Sequence, residues 1–157
     1  MPEARPYRRV LALIRLDGTD ENIARKALLL ARLNRAELLF LHLIEPDAAL
    51  DGGYPVSSAK ADAAALETGA SLRLDFLAAQ LGAGEAECIA RCAPAQQGFK
   101  QQLRKWQPDL VVSAQELPFL SGPHDVLILG HNKQPHGGKL IGRFLSWLGV
   151  QFLPAAQ

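Results

Sequence analysis

Several stretches of this chain are apolar almost without interruption: "VLALI" at 10–14, "LLFLHLI" at 38–44, "LVV" at 110–112 and "VLIL" at 126–129. A strand with one wet face alternates apolar and polar residues, whereas continuous runs of this kind belong to strands covered on both faces. Such strands occur in parallel sheets sandwiched between helices. An α/β architecture is therefore the first expectation.

The segments between the runs carry helical spacing. After the first run, Thr19 suits an N-cap, Asp20 and Glu21 load a first turn, and Ile23, Ala27, Leu30 and Ala31 share a face. Arg32 and Arg35 suit that helix's C-terminal end. The second run stops at Pro46, and 51–58 reads as a loop from its Gly, Pro and Ser content. This strand-helix-strand unit should cross over right-handed. From 59 to 81, Leu66, Ala70, Leu74, Leu77 and Leu81 recur at steps of four and three, and Gly82 and Gly84 close the helix. "AECIARCAP" reads as a strand near a sheet edge, because Glu87 and Arg91 need water. Pro94 opens a helix with Phe99, Leu103 and Trp106 on one face, and Pro108 ends it.

The two runs "DLVVS" and "DVLILG" have only Ala114 and "QELPFLSGPH" between them, where a parallel crossover normally uses a dozen or more residues and a helix. Either they form an antiparallel, hairpin-like pair or one lies outside the main sheet. "DVLILG" is the preferred main-sheet strand, which leaves an extra hairpin-like strand near 109–113. A helix over 139–148, with Ile141, Phe144, Leu145 and Leu148 on one side, and a last strand at "VQFLPA" complete the pattern.

Size and charge bound the function. A chain of 157 residues fits one domain, 1–157, with a core that needs no metal or disulfide. Its formal net charge of +1, with basic residues scattered, argues against a general grip on nucleic acid. No apolar run approaches the roughly 20 residues of a membrane span, so no membrane insertion is expected. "MPEARPYRRV" lacks a signal-peptide core, which suggests the cytoplasm. Cys88 and Cys92, four positions apart on one strand, would lie about 13 Å apart and stay reduced.

The segments "VLALIRLDGTDENIARKALLLARLNRAELLFLHLIEP" and "CAPAQQGFKQQLRKWQPDLVV" together resemble the universal stress protein family. The resemblance implies a doubly wound, mostly parallel five-stranded sheet of order 3-2-1-4-5 with helices on both faces. It also implies a homodimer built through the C-terminal strand and helix, and an adenine-nucleotide site. Members that bind ATP carry G-x-x-G-x9-G-[ST] after strand 4. Here "GHNKQPHGGKLIGR" places Gly130 and Gly142 near the outer glycines, with Lys133 at the second glycine, a spacing one residue short, and Arg143 at the hydroxyl position. If "DLVVS" is strand 4 instead, "SAQELPFLSGP" holds still less of the signature. On this resemblance Asp17 and Gly18 would meet the ribose or adenine, while Gly130, His131, Gly137, Gly138, Lys139 and Gly142 would line the phosphate end. The ligand would be ATP or AMP, with magnesium accompanying ATP.

The residues themselves add little chemistry to this. "KQPHGGKL" departs from a Walker loop, with Lys133 at its first glycine and Leu140 at its hydroxyl position, although Gly137, Gly138 and Lys139 before a helix suit an anion. His124, His131 and His136 cluster without a completing ligand set, so no metal site is expected. His42 reads as a strand residue hydrogen-bonded near the sheet's end. No G-x-S-x-G, H-E-x-x-H or other acid/base constellation appears. Three functions stay open: a regulatory binding domain without turnover, a ligand-free dimerisation module, and an ATP-hydrolysing enzyme of the same superfold. A further question is whether Phe119 or Leu120, in the segment 115–124, folds over the switch point of the sheet.

Overall fold

Strand β1 (Arg9–Leu13), the first apolar run, lies inside a six-stranded sheet of order β3-β2-β1-β4-β5-β6. The computed structural model describes residues 6–18, 20–46, 59–130 and 150–153, with the backbone alone for 59–61 and 150–153. After β1 come α1 (Asp20–Asn34), β2 (Glu37–Ile44), α2 (Ala59–Gln80), β3 (Glu87–Cys92), α3 (Ala95–Trp106), β4 (Leu110–Ser113), β5 (Asp125–Leu129) and β6 (Val150–Leu153). The first five strands run parallel in the order 3-2-1-4-5, and β6 pairs antiparallel with β5, Leu127 opposite Phe152.

The unbroken apolar runs have a direct cause. Along β1, Val10 and Ala12 point to one core while Leu11 and Leu13 point to the other, and all four are buried. The first core lies under α1 and α2, where Ile23, Ala27, Ala31, Leu74 and Ala78 meet Val10, Phe40 and Leu110. The second lies under α3 and the segment after β4, where Phe99 and Leu120 meet Leu11, Leu39, Leu41 and Val111. Phe40 and Phe99 are fully enclosed, and burying a side chain of that size contributes about 1.5–3 kcal/mol.

The expected helices form, with small differences. On α2, Ala70 and Leu74 are buried as the spacing implies, whereas Leu66 is 41% exposed. On α3, Phe99, Leu103 and Trp106 face the second core, and Gln102 joins them in burial. Helix α1 ends in a Schellman turn: Arg35 takes φ 54° and Ala36 N–H donates to Ala31 O at 2.8 Å.

The sheet corrects the expectation for 109–113. Strand β4 is no hairpin partner and does not lie outside the sheet; it pairs in parallel with both β1 (Leu11 with Val111) and β5 (Val112 with Leu127). The connection 114–124 makes that parallel crossover without a helix. Its Leu117, Phe119 and Leu120 pack on the second core, supplying the apolar surface that a crossover helix ordinarily provides. "LVVS" therefore occupies the fourth strand position, and "DVLIL" the fifth.

Cys88 and Cys92 lie on edge strand β3 as free, half-buried thiols. No helix among the described residues is long and apolar enough to cross a membrane. Thr19, the loop 51–58 and the helix expected over 139–148 lie outside the described residues.

Candidate functional site

In an open parallel sheet, the loops after two neighbouring strands diverge to opposite faces at one place, and the crevice left there is where ligands bind. Here that place lies between β1, which leads to α1 on the first core, and β4, which leads to 114–124 on the second. A cleft of about 280 Å³ opens at it. Leu13, Leu43, Leu117 and Phe119 form its apolar part; Arg15, His42, Glu45, Ser113 and Gln115 are its polar residues, with Ala95 at the start of α3. The volume sits just under the roughly 300–1,000 Å³ of typical small-molecule pockets.

Each polar residue is placed by a strand end. His42, in the last turnings of β2, has Nδ1 2.7 Å from the Ile14 carbonyl. A carbonyl only accepts, so Nδ1 carries the proton and Nε2 of the neutral ring is an acceptor. Glu45 follows β2, and its Oε1 accepts from Ala95 N–H at 3.2 Å. The Ser113 hydroxyl donates to Gln115 O at 2.7 Å and accepts from Gln115 N–H at 3.3 Å. Ser113 is thereby committed to its own turn and is not poised as a nucleophile.

The β1–α1 turn is held from two sides. Buried Asp20 accepts the Arg15 N–H through Oδ1 at 2.8 Å, and Arg73 of α2 donates to Leu16 O at 3.0 Å. Leu16 takes φ 58°, a left-handed conformation costly for a bulky residue, and these two bonds sustain it. Gly18 follows at φ 90°, which suits glycine.

Of the residues expected from the sequence, Asp17, Gly18 and Gly130 are described, the first two in the β1–α1 turn and the third after β5. Asp17 is exposed and paired with Arg15, Nε to Oδ2, at 3.5 Å, so it reaches the cleft's rim through its partner. Gly18 lies on the opposite side of the turn, in a hollow it shares with Leu72, Arg73 and Phe76 of α2. Gly130 follows β5, one strand removed from the β1–β4 crevice. His131, Gly137, Gly138, Lys139 and Gly142 lie outside the described residues. His124 is buried, its Nε2 2.5 Å from Leu120 O and its ring edge-on to Phe99. His42 is hydrogen-bonded at the sheet's end as expected, and it also lines the cleft.

Sequence reasoning passed over Arg15, Glu45, Gln115 and Leu117. The available signal was position: each follows the C-terminal end of an apolar run, the rim at which parallel sheets bind ligands. Phe119 does fold to the switch point, stacked obliquely on Phe99 at 5.5 Å, while Leu120 is buried beneath. Among the described lining residues there is no glycine. No group of three His, Cys, Asp or Glu side chains among the described residues could hold a metal ion.

Sheet order defines a doubly wound, mostly parallel α/β domain. The model of the universal stress protein family matches residues 6–116, from before β1 to beyond β4, and the chain belongs to that family. No curated protein sequence matches it. Among solved structures, the hypothetical protein MJ0577 is similar at 16% identity and TM-score 0.52, over 67% of this chain and 72% of that one. Universal stress protein UspA from Lactobacillus plantarum is 18% identical over 73% of this chain and 82% of its own, with TM-score 0.46. A universal stress protein in complex with cAMP is 15% identical over 68% and 72% of the respective chains, with TM-score 0.46.

Proposed function

We propose that this chain is a binding domain that holds an adenine-bearing ligand in the switch-point cleft and acts through that binding, without turnover. The observation that carries the reading is the cleft itself, placed at the β1–β4 crevice with an aromatic wall in Phe119 and polar groups from three strand ends. An aromatic heterocycle would lie against Phe119 and Leu117, with Arg15, His42 and Gln115 supplying its hydrogen bonds. Ser113, engaged with Gln115 in its own turn, favours binding over nucleophilic chemistry at this wall.

The second part of the reading is a homodimer joined through β6. That strand lies at the edge of the sheet, and an edge presents unpaired backbone groups to a second copy. Free cysteines fit a reducing compartment, and the cytoplasm is the proposed location.

Calorimetric titration of nucleotide-stripped protein with adenosine, AMP and ATP, with and without magnesium, tests the reading. Saturable binding is expected, lost in Gln115→Trp, which plugs the cleft from an exposed position, with an unchanged melting temperature. Absence of binding by all three ligands would leave dimerisation as the function to pursue. Light scattering tests the dimer, and a monomer at all concentrations would remove that part.

A further inference from the structure

Helix α3 begins without a cap of its own. Its N-cap residue is Pro94, which makes no side-chain hydrogen bond there. The free N–H groups and the positive dipole end of such a helix start favour an anion. The chain supplies that anion from fifty residues away in sequence: Glu45 accepts the Ala95 N–H at 3.2 Å. Both residues line the switch-point cleft. At this described helix start, a position that could hold a ligand's negative charge is already held by a carboxylate.

Among the described lining residues, other charges offset it little. Arg15 is the one cation among the described lining residues, and it is ion-paired with Asp17. His42 adds an acceptor at Nε2, because its Nδ1 proton is spent on the Ile14 carbonyl. The cleft wall formed by β2 thus presents acceptors and negative charge beside the ring of Phe119. Its complement is a flat group bearing N–H donors, and a phosphate brought to this wall meets like charge.

We infer that Glu45 is a specificity-determining residue: it makes the switch-point cleft take an uncharged, amine-bearing heteroaromatic such as a free nucleoside and turn away its phosphorylated form. The inference rests on reading the cleft as an adenine site, and goes beyond it by naming which adenine compound is held.

The test compares adenosine with AMP, by calorimetry, on the wild type and on Glu45→Gln. Glutamine keeps an oxygen to accept the Ala95 N–H, so the cap survives while the charge goes. The wild type should bind adenosine about tenfold tighter than AMP, and Glu45→Gln should bring the two within about threefold, as expected for one nearby charge pair. A thermal melt checks that the variant folds. An independent arm uses the wild type alone: raising salt from about 0.05 M to about 1 M should shrink the disadvantage of AMP, because screening shortens from about 14 Å to 3 Å. Wild-type preference for AMP, an unchanged ratio in a folded Glu45→Gln, or a salt-independent ratio overturns the role of Glu45 while leaving the adenine site standing. If neither compound binds the wild type, the reading of the cleft falls and this inference with it.

Discussion

The hydroxyl of Tyr7 donates a 2.7 Å hydrogen bond to the carboxylate of Asp125, tying the residues before β1 to the start of β5. This bond sits at the end of the sheet opposite the cleft. There Asp109 also accepts the N–H groups of Arg8 and Arg9 at 2.6 and 2.9 Å, and the Tyr7 N–H donates to Asn34 Oδ1 at 3.2 Å.

Burial, then the bond to Asp125 and its charge, with Asp109 adding, push the Tyr7 phenol from 10.0 up to about 12. The folded protein therefore holds this proton more tightly than the unfolded chain. Its contribution to stability is complete below pH 10 and is lost as pH rises towards 12. Tyr7→Phe should cost about 1 kcal/mol at neutral pH and flatten the fall in stability across that window. Urea unfolding at a series of pH values measures both, and an identical alkaline slope in the two proteins would refute the assignment.

Burial is also the largest influence on the Cys88 thiol, pushed up to about 12, with the hydrogen bond and charge of Asp75 next and Glu87 after. Cys92 is raised by burial first, then by Glu67 and Glu45. Thiolate is the reactive form, so both cysteines should alkylate slowly at pH 8, Cys88 at least about tenfold slower than a free thiol. Iodoacetamide labelling followed by mass spectrometry reads this; labelling of Cys88 at the free-thiol rate would contradict its environment.

Phe99 and Phe119 touch, yet they should respond differently to truncation. Phe99 is fully buried between Phe119 and His124, with ring centroids at 5.5 and 6.3 Å, so Phe99→Ala should cost about 3–5 kcal/mol. Phe119 is half-buried at the cleft, and Phe119→Ala should cost about 1–2 kcal/mol while abolishing most adenosine binding. Denaturation and calorimetry on the same samples separate the two effects. Equal losses of stability would place Phe119 in the core and not at the site.

Gln102 is 2% exposed, and its Oε1 has no hydrogen-bond partner among the described residues. A buried acceptor without a partner is costly, and an apolar side chain of similar shape avoids that cost. Gln102→Met should raise stability by about 1 kcal/mol, seen as a higher melting temperature. A lower one would show that the amide is engaged.

Much of the fold was legible from periodicity. Uninterrupted apolar runs reported strands covered on both faces, and four-and-three spacing reported α1, α2 and α3, because burial acts on each residue's face locally. Strand order was legible only by family resemblance. The place of "LVVS" was not legible, since a crossover without a helix has no periodic signature; its apolar cover comes from Leu117, Phe119 and Leu120 at irregular spacing.

The site divides in the same way. The sequence by itself determined the strands covered on both faces and, through the family resemblance, a sheet order that opens a crevice near Asp17. Only the tertiary structure decided which side chains face that crevice. Arg15, His42, Glu45, Gln115 and Phe119 come from strand ends and a crossover far apart in the chain, and they converge because parallel strands all end on the same edge. The bond from Ala95 to Glu45 shows the reason most plainly: a helix start with no cap of its own is satisfied by a carboxylate fifty residues earlier, a pairing that long-range packing sets and local pattern cannot express.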